Sequence, residues 1–162
     1  MVDASPDHRP REPAAATDPG HKVRTEQVAM IYGRAYTATL VGLPFAALMA
    51  FALQPAAGAA AVWSWFVLRV VVASARFAQR AAYLASPSRD RPSWATHLLL
   101  GLALDGFVWG LAGLWLVPLG DAAATVLTVA ALIGVGAVGA FVLHPWLKAA
   151  YVFLVPLVLP AA

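Results

Sequence analysis

Cysteine is absent from this chain of 162 residues, which excludes disulfides and thiolate-held metals. Charge is scarce as well: Asp, Glu, Lys and Arg make up 12% of the residues against 61% hydrophobic, and the mean hydropathy is +0.73. A soluble domain of this length needs more polar surface to cover its core. Only His8, His21, His97 and His144 carry imidazoles, too scattered for a shared metal site. Period-two alternation is missing, so the ~10-residue strands of a membrane β-barrel are not expected. A nucleotide loop is missing too. The run GVGAVG, Gly134 to Gly139, fits GxGxxG by letter, but it sits inside an apolar run with no acid ~20 residues on, and reads as packing glycine. The sequence pI near 9.7 fits arginines facing anionic lipid and gives no reason to expect nucleic acid. No cofactor is expected.

What the chain does have is long apolar blocks, four of them matching the ~20 residues that cross a ~30 Å hydrocarbon layer as helix and a fifth cut short by the C-terminus. They run from Tyr36 to Leu53, Ala57 to Phe77, His97 to Val117, Ala122 to Leu143, and from Ala149 onward. The fold expected is all-α, a polytopic transmembrane helical bundle of about five helices whose partner is the lipid bilayer. Gln54 and Pro55 suit a first tight turn, Gly120 and Asp121 a third, and SPSRDRPS lies in the longer second connection, Gln79 to Trp94. Trp94, Trp115 and Trp146, near span ends, fit interfacial anchors, and Pro44 is expected to kink the first span.

Ten of the eleven Lys and Arg fall on one side of these spans. They are Arg9, Arg11, Lys22, Arg24 and Arg34 before the first, Arg76, Arg80, Arg89 and Arg91 after or at the end of the second, and Lys148 before the fifth. The positive-inside rule puts that side, and the N-terminus, in the cytoplasm. Residues 1–22, polar and rich in proline, read as a disordered cytoplasmic tail. Residues 23–35 place Val28, Ile31, Tyr32 and Ala35 on one face, either as a helix lying at the headgroups or as an extension of the first span. Five crossings leave the C-terminus outside with an apolar block still running, so a truncated fifth helix and a sixth crossing in an intact protein are expected.

The eleventh cation, Arg69, lies within the second span, and Asp105 lies within the third. A lone charge at a helix centre costs about 2.5–3.5 kcal/mol on insertion scales, so each is expected to find a partner. Arg69 sits about 18 Å down from one surface and Asp105 about 12 Å up from the other, at 1.5 Å per residue, which is the same depth in a ~30 Å layer. Neighbouring antiparallel spans touch, and a guanidinium can grip the carboxylate. An intramembrane ion pair Arg69–Asp105 is therefore expected. It would serve as a latch fixing two helices, as a bistable contact that a signal shifts, or as part of a conduction path, though no further titratable groups line up with it.

Ala103, Gly106, Gly110 and Gly113 form a small-residue groove on the third span, Gly106 and Gly110 as a GxxxG. Its occupant would be a helix of the same chain or of a second copy. Asp105 shares a different face with Gly101, Trp109 and Ala112, and the second span carries Trp65, Arg69, Ala73 and Arg76 on one stripe, an interior face ending at the cytoplasmic surface.

The succession RTEQVAMIYGRAYTATLVGLPFAALMAFAL, WFVLRVVVASARFAQR and LLLGLALDGFVWGLAGLWL resembles the N-terminal membrane region of certain proteobacterial sensor proteins. Its most specific part is the run Asp105, Gly106, Trp109, Gly110, with Arg76 and Arg80 matching an arginine-rich end of the preceding helix. The resemblance implies a multi-pass inner-membrane input module, a homodimer in the intact protein, and a cytoplasmic output of the histidine kinase (two-component) or GGDEF diguanylate cyclase kind. No phosphoacceptor helix, ATP-binding motif or GG[DE]EF sequence lies in these residues, so they are not expected to catalyse either reaction. The alternative is a fragment of a small multi-helix transporter or channel, although no inverted repeat or pair of broken spans is visible.

Overall fold

In the computed structural model, which describes residues 19–117 and 121–159, the chain first reverses at Gly58, the one described residue with positive φ (+85°). Helix α1, Pro19–Ala57, reaches this point uninterrupted, with Pro44 and Pro55 both inside it. The turn expected at Gln54 and Pro55 therefore falls later. A proline removes one hydrogen bond but does not supply the left-handed backbone that reversal needs, and Gly58 does. The Gly58 N–H closes α1 on the Gln54 carbonyl (3.1 Å), and the Trp63 indole N–H donates to Gln54 Oε1 (3.0 Å) across the turn.

With 39 residues, α1 is about 58 Å long, roughly twice the hydrocarbon thickness. Residues 23–35 and the first span thus form one helix, and Val28, Ile31, Tyr32 and Ala35 are buried against the rest of the protein. Of the expected tail, positions 1–18 lie outside the described residues and 19–22 belong to α1.

Helix α2, Ala59–Ala85, continues past the expected end at Phe77, because AQRAAYLA is made of good helix formers. The connection shrinks to 86–92, and α3 follows over Ser93–Trp115. Asp121 caps α4, Ala122–Leu143, its carboxylate accepting from the Ala124 N–H (2.9 Å). Gly120 lies outside the described residues. The last helix, α5, Leu147–Val158, has 12 residues and spans only about 18 Å.

Helices α1 to α4 are each long and apolar enough to cross a membrane. Their outward residues agree: Leu48, Phe51, Val126, Ile133 and Phe141 are all exposed, a surface that a lipid solvent accepts and water does not. The molecule is an all-α transmembrane helical bundle with no strand among the described residues. α3 occupies its centre, touching every other helix and pairing most extensively with α5, whereas α2 touches only α1 and α3. At the basic end, the Gln27 side-chain amide donates to the Pro145 carbonyl (2.8 Å) and ties α1 to the α4–α5 turn.

Candidate functional site

One stripe of α2 carries Trp65, Arg69, Ala73 and Arg76 inward, all buried, because helical periodicity brings them to the same face. The facing stripe of α3 presents Asp105. Arg69 Nη1 donates to Asp105 Oδ1. Arg76, about two turns further along α2, places its own Nη1 3.6 Å from Asp105 Oδ2. The carboxylate thus lies between two guanidinium groups, with residue exposures of 1% for Arg69, 9% for Arg76 and 8% for Asp105. The sequence places Arg76 on this stripe but at the surface. The structure draws it inside and makes it the second partner. Its spacing from Arg69 was the signal, since any residue about two turns from an inward arginine faces inward too.

Aromatic side chains fix the cluster. The Trp65 indole N–H donates to the Val108 carbonyl (2.8 Å), setting the register of α2 on α3. The Arg69 guanidinium lies 4.4 Å from the ring centre of Trp109, a cation–π contact worth up to about 2 kcal/mol when desolvated. Trp65 meets the same ring edge-on, with centroids 5.6 Å apart, and Phe45 of α1 lies 6.1 Å away on a tilt. These contacts do not satisfy every donor. Arg69 Nε and Arg76 Nη1 are buried without a hydrogen-bond acceptor among the described residues.

Above the cluster is a cavity of about 370 Å³ to which all five helices contribute. Arg69, Arg76 and Asp105 form its charged floor, and most of its wall is apolar, Leu102 and Val135 among it. It opens between α1 and α4, where the lining residues Val41 and Val138 are 63% and 55% exposed.

The small-residue groove is occupied from within the chain. A Cβ added at Gly106 would lie 2.1 Å from the Phe153 carbonyl oxygen, so α5 packs backbone-to-backbone on α3 there. Gly110 is buried beside it, and Ala103 and Gly113 are half-buried. The Phe153 ring fills the place of a side chain at Gly139, where an added Cβ would lie 2.3 Å from Cε1. Gly136 borders Leu154 and Leu157, while Gly134 has nothing within 4 Å and lines the cavity. Phe153, which joins α5 to both α3 and α4, gives no signal in the sequence beyond being apolar.

The tryptophans near helix ends differ. Trp115 is exposed and Trp146 half-buried at the start of α5. Trp94 packs edge-on against Tyr83 (5.4 Å) and Tyr32 (6.5 Å), which stack on each other at 4.2 Å. This aromatic cluster joins α1, α2 and α3 at the basic end. Nearby, Arg80 lies 4.4 Å over the Tyr36 ring and donates from Nε to the Tyr32 carbonyl (3.3 Å).

Among the described residues no group of three metal-ligating side chains occurs. Comparison with protein-family models, with curated proteins and with solved structures gave no match. The fold and the site define the class without help from relatives: a multi-pass helical membrane protein with a charge cluster in its interior.

Proposed function

We propose that this chain is the membrane-embedded input module of a bacterial signal-transduction protein. It sits in the inner membrane with its basic end in the cytoplasm and couples a membrane or periplasmic signal to a cytoplasmic histidine kinase or diguanylate cyclase output, acting as a homodimer. The observation that carries this reading is the single carboxylate, Asp105, held between Arg69 and Arg76 at the floor of a cavity. A purely structural latch needs one cation per anion. A second buried cation gives the carboxylate two partners on one helix, and so gives α2 and α3 two arrangements whose balance a small perturbation can shift. The resemblance of the Asp105–Gly110 run and of Arg76 and Arg80 to sensor membrane regions supports the same reading.

The test uses spin labels on cysteines introduced at Val71 of α2 and Leu114 of α3, both exposed, in a chain with no native cysteine. Distances measured in nanodiscs should show two populations, and Asp105→Asn should change their ratio at least threefold. A single distance distribution, the same in both proteins, would reduce the module to an anchor. Ion or solute flux through proteoliposomes that Asp105→Asn abolishes would replace the proposal with a transporter or channel.

A further inference from the structure

We infer that the cavity is a binding site for a single-chain amphiphile with a carboxylate head, a long-chain fatty acid in chemical class, which enters from the bilayer between α1 and α4. Three observations lead there. The floor is not neutral: Arg69 and Arg76 face one Asp105, leaving one formal positive charge in a buried place. A buried charge without a counter-charge is costly, and a ligand anion removes that cost. The floor also offers donors without a hydrogen bond among the described residues, Arg69 Nε and Arg76 Nη1, the latter 3.6 Å from Asp105 Oδ2 and so too far to donate to it. Two buried donors without a hydrogen bond call for an acceptor-only group such as a carboxylate, which guanidinium binds well. A neutral headgroup could accept hydrogen bonds there but would leave the charge uncompensated.

The remaining wall sets the rest of the molecule. It is built from Ala, Val, Gly, Leu, Phe and Trp side chains apart from Thr39, whose hydroxyl already donates to the Ala35 carbonyl (2.9 Å). An apolar body belongs there. The volume of about 370 Å³ lies at the small end of the ~300–1,000 Å³ range of small-molecule sites, enough for one chain and too little for a two-chain lipid. The mouth opens on the outward surface beside Val41 and Val138, so the ligand arrives from lipid. With its carboxylate at Arg76 and its chain against Phe45 and Trp109, it would compete with Asp105 for the second guanidinium. This deepens the input-module reading by naming the ligand, and rests on that reading only for what binding does next.

Trp109 reports the site directly, because it lines the cavity. Dibromostearic acid, a quencher of tryptophan fluorescence, is added to the protein in phosphatidylcholine nanodiscs at a pH where the acid is ionised, with its methyl ester as the neutral control. The acid should quench saturably, and the ester only in proportion to its amount in the lipid. Arg76→Gln should weaken the saturable part at least tenfold. Val138→Phe, a bulky change on the exposed rim that adds no tryptophan and leaves the charges in place, should remove it even if Arg76→Gln fails to fold. Equal quenching by acid and ester, or saturable binding unchanged by Val138→Phe, overturns the assignment. So does binding seen in discs holding one copy but lost in discs holding two, which would make a second chain the occupant, and so does displacement by phosphatidylglycerol at equal mole fraction, which would make it a phospholipid. Saturable binding of the acid with no change in the Val71–Leu114 distance keeps the site and discards the input-module reading.

Discussion

Asp105 has to balance two guanidinium groups with one carboxylate, and its removal is therefore worse than the loss of an ordinary ion pair. Asp105→Ala strands both Arg69 and Arg76 in the interior, and breaking a buried pair from one side costs about 3–5 kcal/mol. Replacing all three with apolar residues, Arg69→Met, Asp105→Leu and Arg76→Met, removes every buried charge at once and should recover most of that stability. Thermal unfolding in detergent, followed by loss of the monodisperse chromatographic peak, measures both. If the triple variant unfolds no later than Asp105→Ala, the three groups are not one cluster. The depths of Arg69 and Asp105 can be counted along their helices, so their meeting is legible in the sequence. Arg76 is harder to place: a long cation near a span end is free to snorkel to the surface, and only the packing of α1 and α3 over it decides that it does not.

Helix by helix, the glycines separate into contacts and spacers. At Gly106 an added methyl meets the Phe153 carbonyl oxygen, which belongs to a helix backbone and cannot rotate away. Gly106→Ala should therefore push α5 off α3 and destabilise the bundle by about 1–3 kcal/mol, the usual cost of overpacking. Gly139→Ala meets a ring instead, and Phe153 can turn, so its loss should be smaller. Gly33, with nothing within 4 Å, gives the contrasting case: Gly33→Ala should raise stability by about 0.5–1 kcal/mol through helix propensity alone. Unfolding midpoints of the three variants in one detergent give the order, and a Gly106→Ala protein as stable as the wild type would mean that α5 does not rest on α3. The small-residue stripe is plain in the sequence, but its occupant is not. α5 has only 12 residues and ends among apolar positions, so nothing in its composition says which groove it enters. Helix ends slip for a related reason. Apolarity stops at Phe77 while helix propensity continues to Ala85, and the two signals mark different boundaries.

For the whole molecule, the long apolar runs and their hydrophobic exteriors make the membrane class readable from composition alone, while the cavity escapes any such reading because residues of all five helices have to come together to line it. Orientation is open to direct measurement, since the chain has no cysteine of its own. With the basic end in the cytoplasm, Ser88→Cys in the 86–92 connection should resist an impermeant maleimide in intact cells, and Ala59→Cys beside the Gly58 turn should react. The reverse pattern would invert the molecule and remove the proposed route from signal to output. The separation of Arg69 from Asp105 along the chain bears on biosynthesis as well. The arginine leaves the ribosome 36 residues ahead of its carboxylate, so α2 arrives at the insertion machinery carrying a cation with no counterpart. Release into lipid is cheapest once α3 has followed, and the nascent chain is best served by delivering the two as a hairpin, with the later helices assembling around a unit in which Arg69 already has its counter-charge.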